Sequence, residues 1–172
     1  MRQPCRRYPL AAADATNALV FSSTGAHLSA MPTLEAVADE IAEELRSLPD
    51  WEERIAYIIE MARALAPLRL DERTEAHRVR GCVSQVWLVV DHGAQEGLVL
   101  RGDSDAQLVR GEIAMLLRIF SGRRPAEIAA ADPRAIFEKL GLKDALTQQR
   151  SNGLFAMMAR IQAEARARLQ AG

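Results

Sequence analysis

Cys5 and Cys82 are the only thiols in the chain, and they stand in different settings. Cys82 follows Gly81 and precedes the run Val83-Ser84-Gln85-Val86-Trp87-Leu88-Val89-Val90, dominated by β-branched and aromatic residues. Such a run reads as a strand, which puts Cys82 on a turn between two strands. Glycine before it permits a sharp or left-handed backbone, and a thiol at a loop tip can reach the active site of another protein. Arg78 and Arg80 are close in sequence, and Arg73 is not far. Positive charge favours the thiolate, which is the nucleophile. The same residue also suits a small buried hydrophobe, because free Cys is among the most buried residue types. Position alone leaves both readings open.

Other chemistry is thinly provided for. An iron–sulfur cluster usually takes several Cys ligands, whereas this chain offers one Cys in its ordered part, with His77 and His92 scattered and His27 near the start. No zinc spacing is visible. A Cys–His catalytic pair using His77 or His92 stays open. Gly102-Asp103-Ser104-Asp105 follows a strand and precedes a helix. It lacks the glycine spacing of a dinucleotide fingerprint and the Lys of a P-loop. It reads as helix capping, with Ser104 and Gln107 as a capping-box pair. Trp87 reads as core, and the Met residues of the last helix as packing.

The elements around Cys82 follow from periodicity. Leu34, Val37, Ile41, Leu45 and Leu48 recur at helical spacing from Thr33 onward. Pro49 stops that helix, and Asp50 with Glu53 starts the next. The second helix carries Trp51, Ile55, Ile58, Ile59, Ala62 and Leu65 on one broad face and ends at Pro67. Residues 68 to 76 are charged and aperiodic, hence a loop. Val79 lies in a short extended stretch, Val83 to Val90 form a strand, His92-Gly93 turns the chain, and Leu98 to Leu100 form another strand ended by Gly102. Three strands with short links predict an antiparallel meander. A helix to about Phe120 is apolar on most sides and so is buried. Pro125 and Pro133 take first-turn positions of two short helices. The last helix uses Leu154, Phe155, Met158, Ile161, Ala165 and Leu169. Helices flank one block of strands, so the class is α+β, a small antiparallel three-stranded sheet packed with helices.

Bulk properties narrow the function. A chain of 172 residues with 49% hydrophobic content supports one domain with a real core. Net charge is −1, from 22 basic and 23 acidic side chains, which gives no polyanion-binding surface and argues against nucleic acid. No apolar run approaches the ~20 residues that span a bilayer. Two cysteines make no disulfide framework, so a reducing, cytoplasmic setting is the simpler reading. Residues 1–32 are rich in Ala, Ser and Thr, and read as a disordered extension ahead of a functional start at Met31, with the domain at 33–172. Asp14 and Asn17 interrupt any secretory h-region, while an organellar transit peptide stays open.

Four blocks resemble one family. Arg80-Gly81-Cys82-Val83-Ser84-Gln85-Val86-Trp87 is similar to the Gly-Cys-x-Ser-Gln-Val-Trp signature of SufE-type proteins, the CsdE branch included. Trp51-Glu52-Glu53-Arg54 with Tyr57-Ile58-Ile59-Glu60 resembles the family's second helix. Gly102-Asp103-Ser104-Asp105-Ala106 with Val109-Arg110-Gly111 resembles its Gly-Asp-Ser-Asp-Ala…Val-Lys-Gly block, and Arg150-Ser151-Asn152-Gly153-Leu154 its Arg-x-x-Gly-Leu. The blocks keep the family's order over about residues 34 to 168. One departure is Ala145-Leu146-Thr147-Gln148, where the family commonly has His-Leu-Thr/Ser-Pro; it bears on Arg150, not on Cys82.

The resemblance implies an IscU-like fold and a persulfide carried on Cys82. It implies a cysteine desulfurase as partner, an iron–sulfur scaffold as acceptor, and no cofactor of the chain's own, since pyridoxal phosphate belongs to the desulfurase. Asp103 falls in a block whose carboxylate lies near the reactive loop, and Arg150 matches a family arginine. In that mechanism Arg80 and Arg150 would lower the thiol pKa, Cys82 would be tucked under the sheet at rest, and Gly81 would be the hinge that lets it swing out. The rival readings are a thiol peroxidase or redox sensor, which usually pairs its thiol with a resolving Cys, a cluster-binding scaffold, and a non-covalent adaptor.

Overall fold

A computed structural model of the chain describes residues 32–92, 97–143 and 146–171. The expectations for residues 1–31, including Cys5, His27, Met31 and the extension itself, lie outside the described residues, as do Gly93 of the predicted turn and Ala145.

Helix α1 (Leu34–Arg46) begins where Thr33 caps it, its Oγ1 accepting from the Ala36 N–H at 3.2 Å. Leu34, Val37, Ile41 and Leu45, the residues at helical spacing, are all buried, and Leu48 beyond the helix joins them. Asp50 caps α2 (Trp51–Met61) by accepting from the Glu53 N–H at 2.8 Å. The broad apolar face expected of α2 is narrower than its composition suggests. Ile58 and Met61 are buried, whereas Trp51 is 59% exposed and Ile59 37%. A 3₁₀ turn, Ala62–Ala64, continues α2, and a second, Leu70–Glu72, interrupts the charged loop.

The sheet is smaller than predicted. Among the described residues it has two antiparallel strands, β1 (Val86–His92) and β2 (Leu98–Ser104), with Val86 opposite Ser104 and His92 opposite Leu98. The expected third strand reduces to one bridge, Arg78 with Trp87, held by Val79 N–H to Val86 O and Leu88 N–H to His77 O, both 2.8 Å. A turn at 74–78 precedes this stretch, and Gly81 at φ +95° follows it, so the chain leaves the ladder after one pair. Strand β2 does not end at Gly102 but runs on through Ser104.

Side chains of β1 alternate. Val86 and Leu88 enter the main core, while Trp87 and Val89 pack with Leu68 in a second small cluster on the opposite face. The Arg73 guanidinium lies over the Trp87 ring, 5.7 Å from its centroid. Helix α3 (Gln107–Phe120) is buried along most of its length, as its composition requires. Gly111 lets it lie directly on α2, because a Cβ there would stand 1.9 Å from Ile58 O. The Ser104–Gln107 capping box does not form. Ser104 is still in the strand, its hydroxyl donates to Gln85 O at 2.7 Å, and α3 starts after Ala106 with no side-chain cap. Short helices α4 (Pro125–Ala130) and α5 (Pro133–Leu140) start on their prolines. The long α6 (Gln148–Ala171) buries Leu154, Met158, Ile161 and Ala165, and Phe155 meets Phe137 of α5 with ring centroids 4.9 Å apart. Leu169, expected on that apolar face, is 51% exposed near the helix end.

Candidate functional site around Cys82

Cys82 lies on a short segment held at both ends. Upstream, Val79 is tied to β1 as described. Downstream, the Gln85 N–H donates to Asp105 Oδ1 at 2.9 Å while Gln85 O accepts from the Ser104 hydroxyl. Between these anchors Gly81 takes a left-handed φ that a side-chain-bearing residue adopts rarely. Val83 is 77% exposed, so the segment carries an apolar side chain outward next to the thiol.

The Cys82 side chain is half-buried and leans on the first turns of α6. Its thiol donates to Gly153 O at 3.5 Å. A Cβ on Gly153 would stand 3.5 Å from Cys82 Sγ, in ordinary van der Waals contact, so the sulfur packs directly over this turn of α6. The thiol faces a cavity of about 330 Å³ whose wall includes Ser84, Leu108, Glu112, Arg150 and Met157. The cavity thus joins the loop before β1 to the N-terminal parts of α3 and α6.

Its electrostatics run against the expectation of an activated thiolate. Burial, aided by the nearby Glu112 carboxylate, pushes the Cys82 thiol up to about 11. Arg80 is not at the sulfur. Its side chain is 85% exposed and reaches Glu75 at 3.6 Å, because the turn at 74–78 presents that carboxylate to Arg78 and Arg80 alike. Arg150 does line the cavity, from the first turn of α6, but it is an exposed residue and does not hold down the thiol.

Asp103 is placed elsewhere. It is 1% exposed and forms a hub: Oδ2 accepts from the Leu68 N–H at 3.1 Å and from Arg73 at 2.7 Å, Oδ1 accepts from the Ser104 N–H at 2.9 Å, and Arg110 stands 3.4 Å away. It ties the charged loop to the sheet and is not in the wall of the Cys82 cavity. Neither histidine considered as a Cys partner is placed for it: His77 Nδ1 is bonded to Glu72 O at 2.7 Å, and the His92 backbone lies at the far end of β1.

Sequence reasoning missed Glu112. It is 1% exposed, its Oε1 has no hydrogen-bond partner among the described residues, and it shares the cavity with Cys82. Burial raises its carboxyl to about 7 against the lowering pull of Arg150. The signal was available. An acid flanked by Leu108, Val109, Ile113 and Leu116 at helical spacing occupies a core face.

The family comparison fits this geometry. Residues 39–165 match the SufE family, described as an Fe-S metabolism associated domain. The chain belongs to the SufE family. An uncharacterized SufE-like protein of Rhizobium etli is 45% identical over 139 residues, spanning 79% of this chain and 94% of that one. A second, from Rhizobium meliloti, is 43% identical over 137 residues, spanning 77% and 97%. The fold is shared with a hypothetical protein from Thermus thermophilus, solved in solution, with a TM-score of 0.65 and 24% identity, covering 78% of this chain and 96% of that one. The chain is therefore a SufE-like α+β domain associated with Fe–S metabolism. None of its described helices is long and apolar enough to cross a membrane.

Proposed function

We propose that this SufE-family protein is a sulfur-transfer accessory protein, and that Cys82 carries the sulfur. The observation that supports this most is the placement of the thiol. It sits on an anchored segment beside a left-handed glycine, next to an exposed Val83, at the wall of a cavity that could house one added sulfur atom.

The step is thiol exchange with a persulfide. A cysteine desulfurase presents a persulfide on its own cysteine. Cys82 Sγ, as thiolate, attacks the terminal sulfur. The new Sγ–S bond forms as the donor S–S bond breaks, and the donor cysteine leaves as a thiolate that takes up the proton lost from Cys82. Electrons balance without an added oxidant or reductant. The sulfur then passes to iron–sulfur cluster assembly. With its thiol held near 11, the lone protein keeps Cys82 protonated at neutral pH, so activation falls to the encounter with the partner. Gly81 is the hinge for the movement that brings the sulfur outward, and Arg150 is the cation at the cavity that meets the developing charge.

Cys82→Ser tests the reading. It should abolish stimulation of a cognate desulfurase while the circular-dichroism spectrum and melting temperature stay close to those of the parent. Full stimulation by the variant would mean that the chain acts as a non-covalent adaptor.

A further inference from the structure

Two opposite charges face the Cys82 cavity without meeting. Glu112 enters from α3, is almost fully buried, and leaves Oε1 without a hydrogen bond among the described residues. Arg150 enters from α6, its backbone N–H donates to Thr147 Oγ1 at 3.4 Å, and its guanidinium makes no hydrogen bond or ion pair among the described residues. An orphaned buried carboxylate is costly, and a nearby guanidinium could satisfy it. The pair is nevertheless open, and the thiol lies on the same wall.

We infer that Glu112 is an electrostatic brake on Cys82, which holds the thiol in its protonated, unreactive form until Arg150 swings onto the carboxylate and neutralises it. Glu112 acts on the sulfur through space within the shared cavity and not by a hydrogen bond, since the thiol proton points to Gly153 O. The thiol's environment is otherwise simple. Glu112 and Arg150 are the charged side chains among the residues lining the cavity, and the α2 residue that meets α3 at Gly111 is the apolar Ile58. Arg80, closer in sequence, is turned towards Glu75. The brake fits a carrier that must not react before its donor is docked, because a free thiolate is open to oxidation. A docking surface that presses Arg150 inward would remove the negative charge as the persulfide arrives.

For its purpose the inference rests on the sulfur-carrier reading, but its test does not use sulfur. The second-order rate of Cys82 alkylation by iodoacetamide, followed by intact mass on the full chain alone, is measured from pH 6 to pH 9. Glu112→Gln should alkylate about tenfold faster than the parent at pH 8, the equivalent of about one unit in the thiol pKa. The advantage should shrink towards parity near pH 6, where the parent's carboxyl is itself protonated. Glu112→Leu should follow Glu112→Gln, because charge and not hydrogen bonding is removed. Arg150→Ala should leave the lone chain's rate within about twofold of the parent's in either background, because the guanidinium stands off the carboxylate before docking. A Glu112→Gln rate equal to or below the parent's at pH 8 overturns the brake. An Arg150→Ala variant that alkylates severalfold slower than the parent in the lone chain overturns the role given to Arg150, because the guanidinium would then act on the thiol before docking. A failure here leaves sulfur loading by a desulfurase untouched, and a failure of loading leaves this rate difference in place, so the two readings fall separately.

Discussion

Asp103 and Glu112 are both acids with 1% exposure, nine residues apart in sequence, and they have opposite surroundings. Asp103 is met by two backbone N–H groups and two arginines. Glu112 has an oxygen with no partner among the described residues and looks into a cavity beside a thiol. The difference teaches how to read buried charge. A carboxylate that is satisfied on every side holds elements together, here the loop at 68–73 to β2 and α3. A carboxylate left open is retained at a cost to stability, which makes its surroundings a candidate for a functional role.

The comparison breaks first at the hub. Asp103→Ala strands the Leu68 N–H and leaves Arg73 and Arg110 without their carboxylate, so it should cost ~3–5 kcal/mol of unfolding free energy. Urea unfolding at pH 7 measures this, and a loss below ~1 kcal/mol would remove Asp103 from its structural role. Glu112 should behave in the opposite sense. Its folded carboxyl titrates at about 7, above the ordinary 4.5. Between those values the folded chain holds a proton that the unfolded chain has released. Glu112 therefore makes stability fall as pH rises through that window and level off above it. The full span corresponds to ~3 kcal/mol at most. Glu112→Gln should flatten this slope and leave the protein as stable as the parent, or more so, at pH 8. An unchanged slope in urea unfolding between pH 5 and pH 8 would mean that Glu112 is not the titrating group.

Much of the fold was legible in the sequence. Leu34, Val37, Ile41 and Leu45 marked the buried face of α1, Asp50 marked a cap that forms, and the prolines at 125 and 133 marked two helix starts. These are local signals, and local structure answers to them. What failed depended on partners distant in sequence. The third strand failed because pairing is decided by where the chain turns, and Gly81 turns it after one bridge. Ser104 failed as a cap because Gln85 claims its hydroxyl. Trp51 and Ile59 have apolar side chains at plausible spacing, yet α2 is covered on a narrower face.

The candidate site was legible in part. Cys82 was singled out by its place after Gly81, and the structure puts it at a cavity wall. Arg150 arrived by resemblance alone, and it does reach that cavity. Asp103, also taken from resemblance, belongs to the structural hub. Arg80 was misjudged because nearness in sequence is not nearness to the sulfur when a competing Glu75 is on the same turn. Glu112 was passed over because one acid on an apolar helix reads as an ordinary solvated position unless its flanking residues are weighed with it. Those neighbours mark its face as core, but its missing partner and its place beside the thiol emerge only when the helices are packed.

The most direct test of the central claim, that Cys82 carries sulfur, is the intact mass of the protein after incubation with a cysteine desulfurase, pyridoxal phosphate and L-cysteine. The account predicts a gain of about one sulfur atom that is reversed by reductant and absent from Cys82→Ser. No gain with a desulfurase shown to be active, or an equal gain in Cys82→Ser, would contradict it.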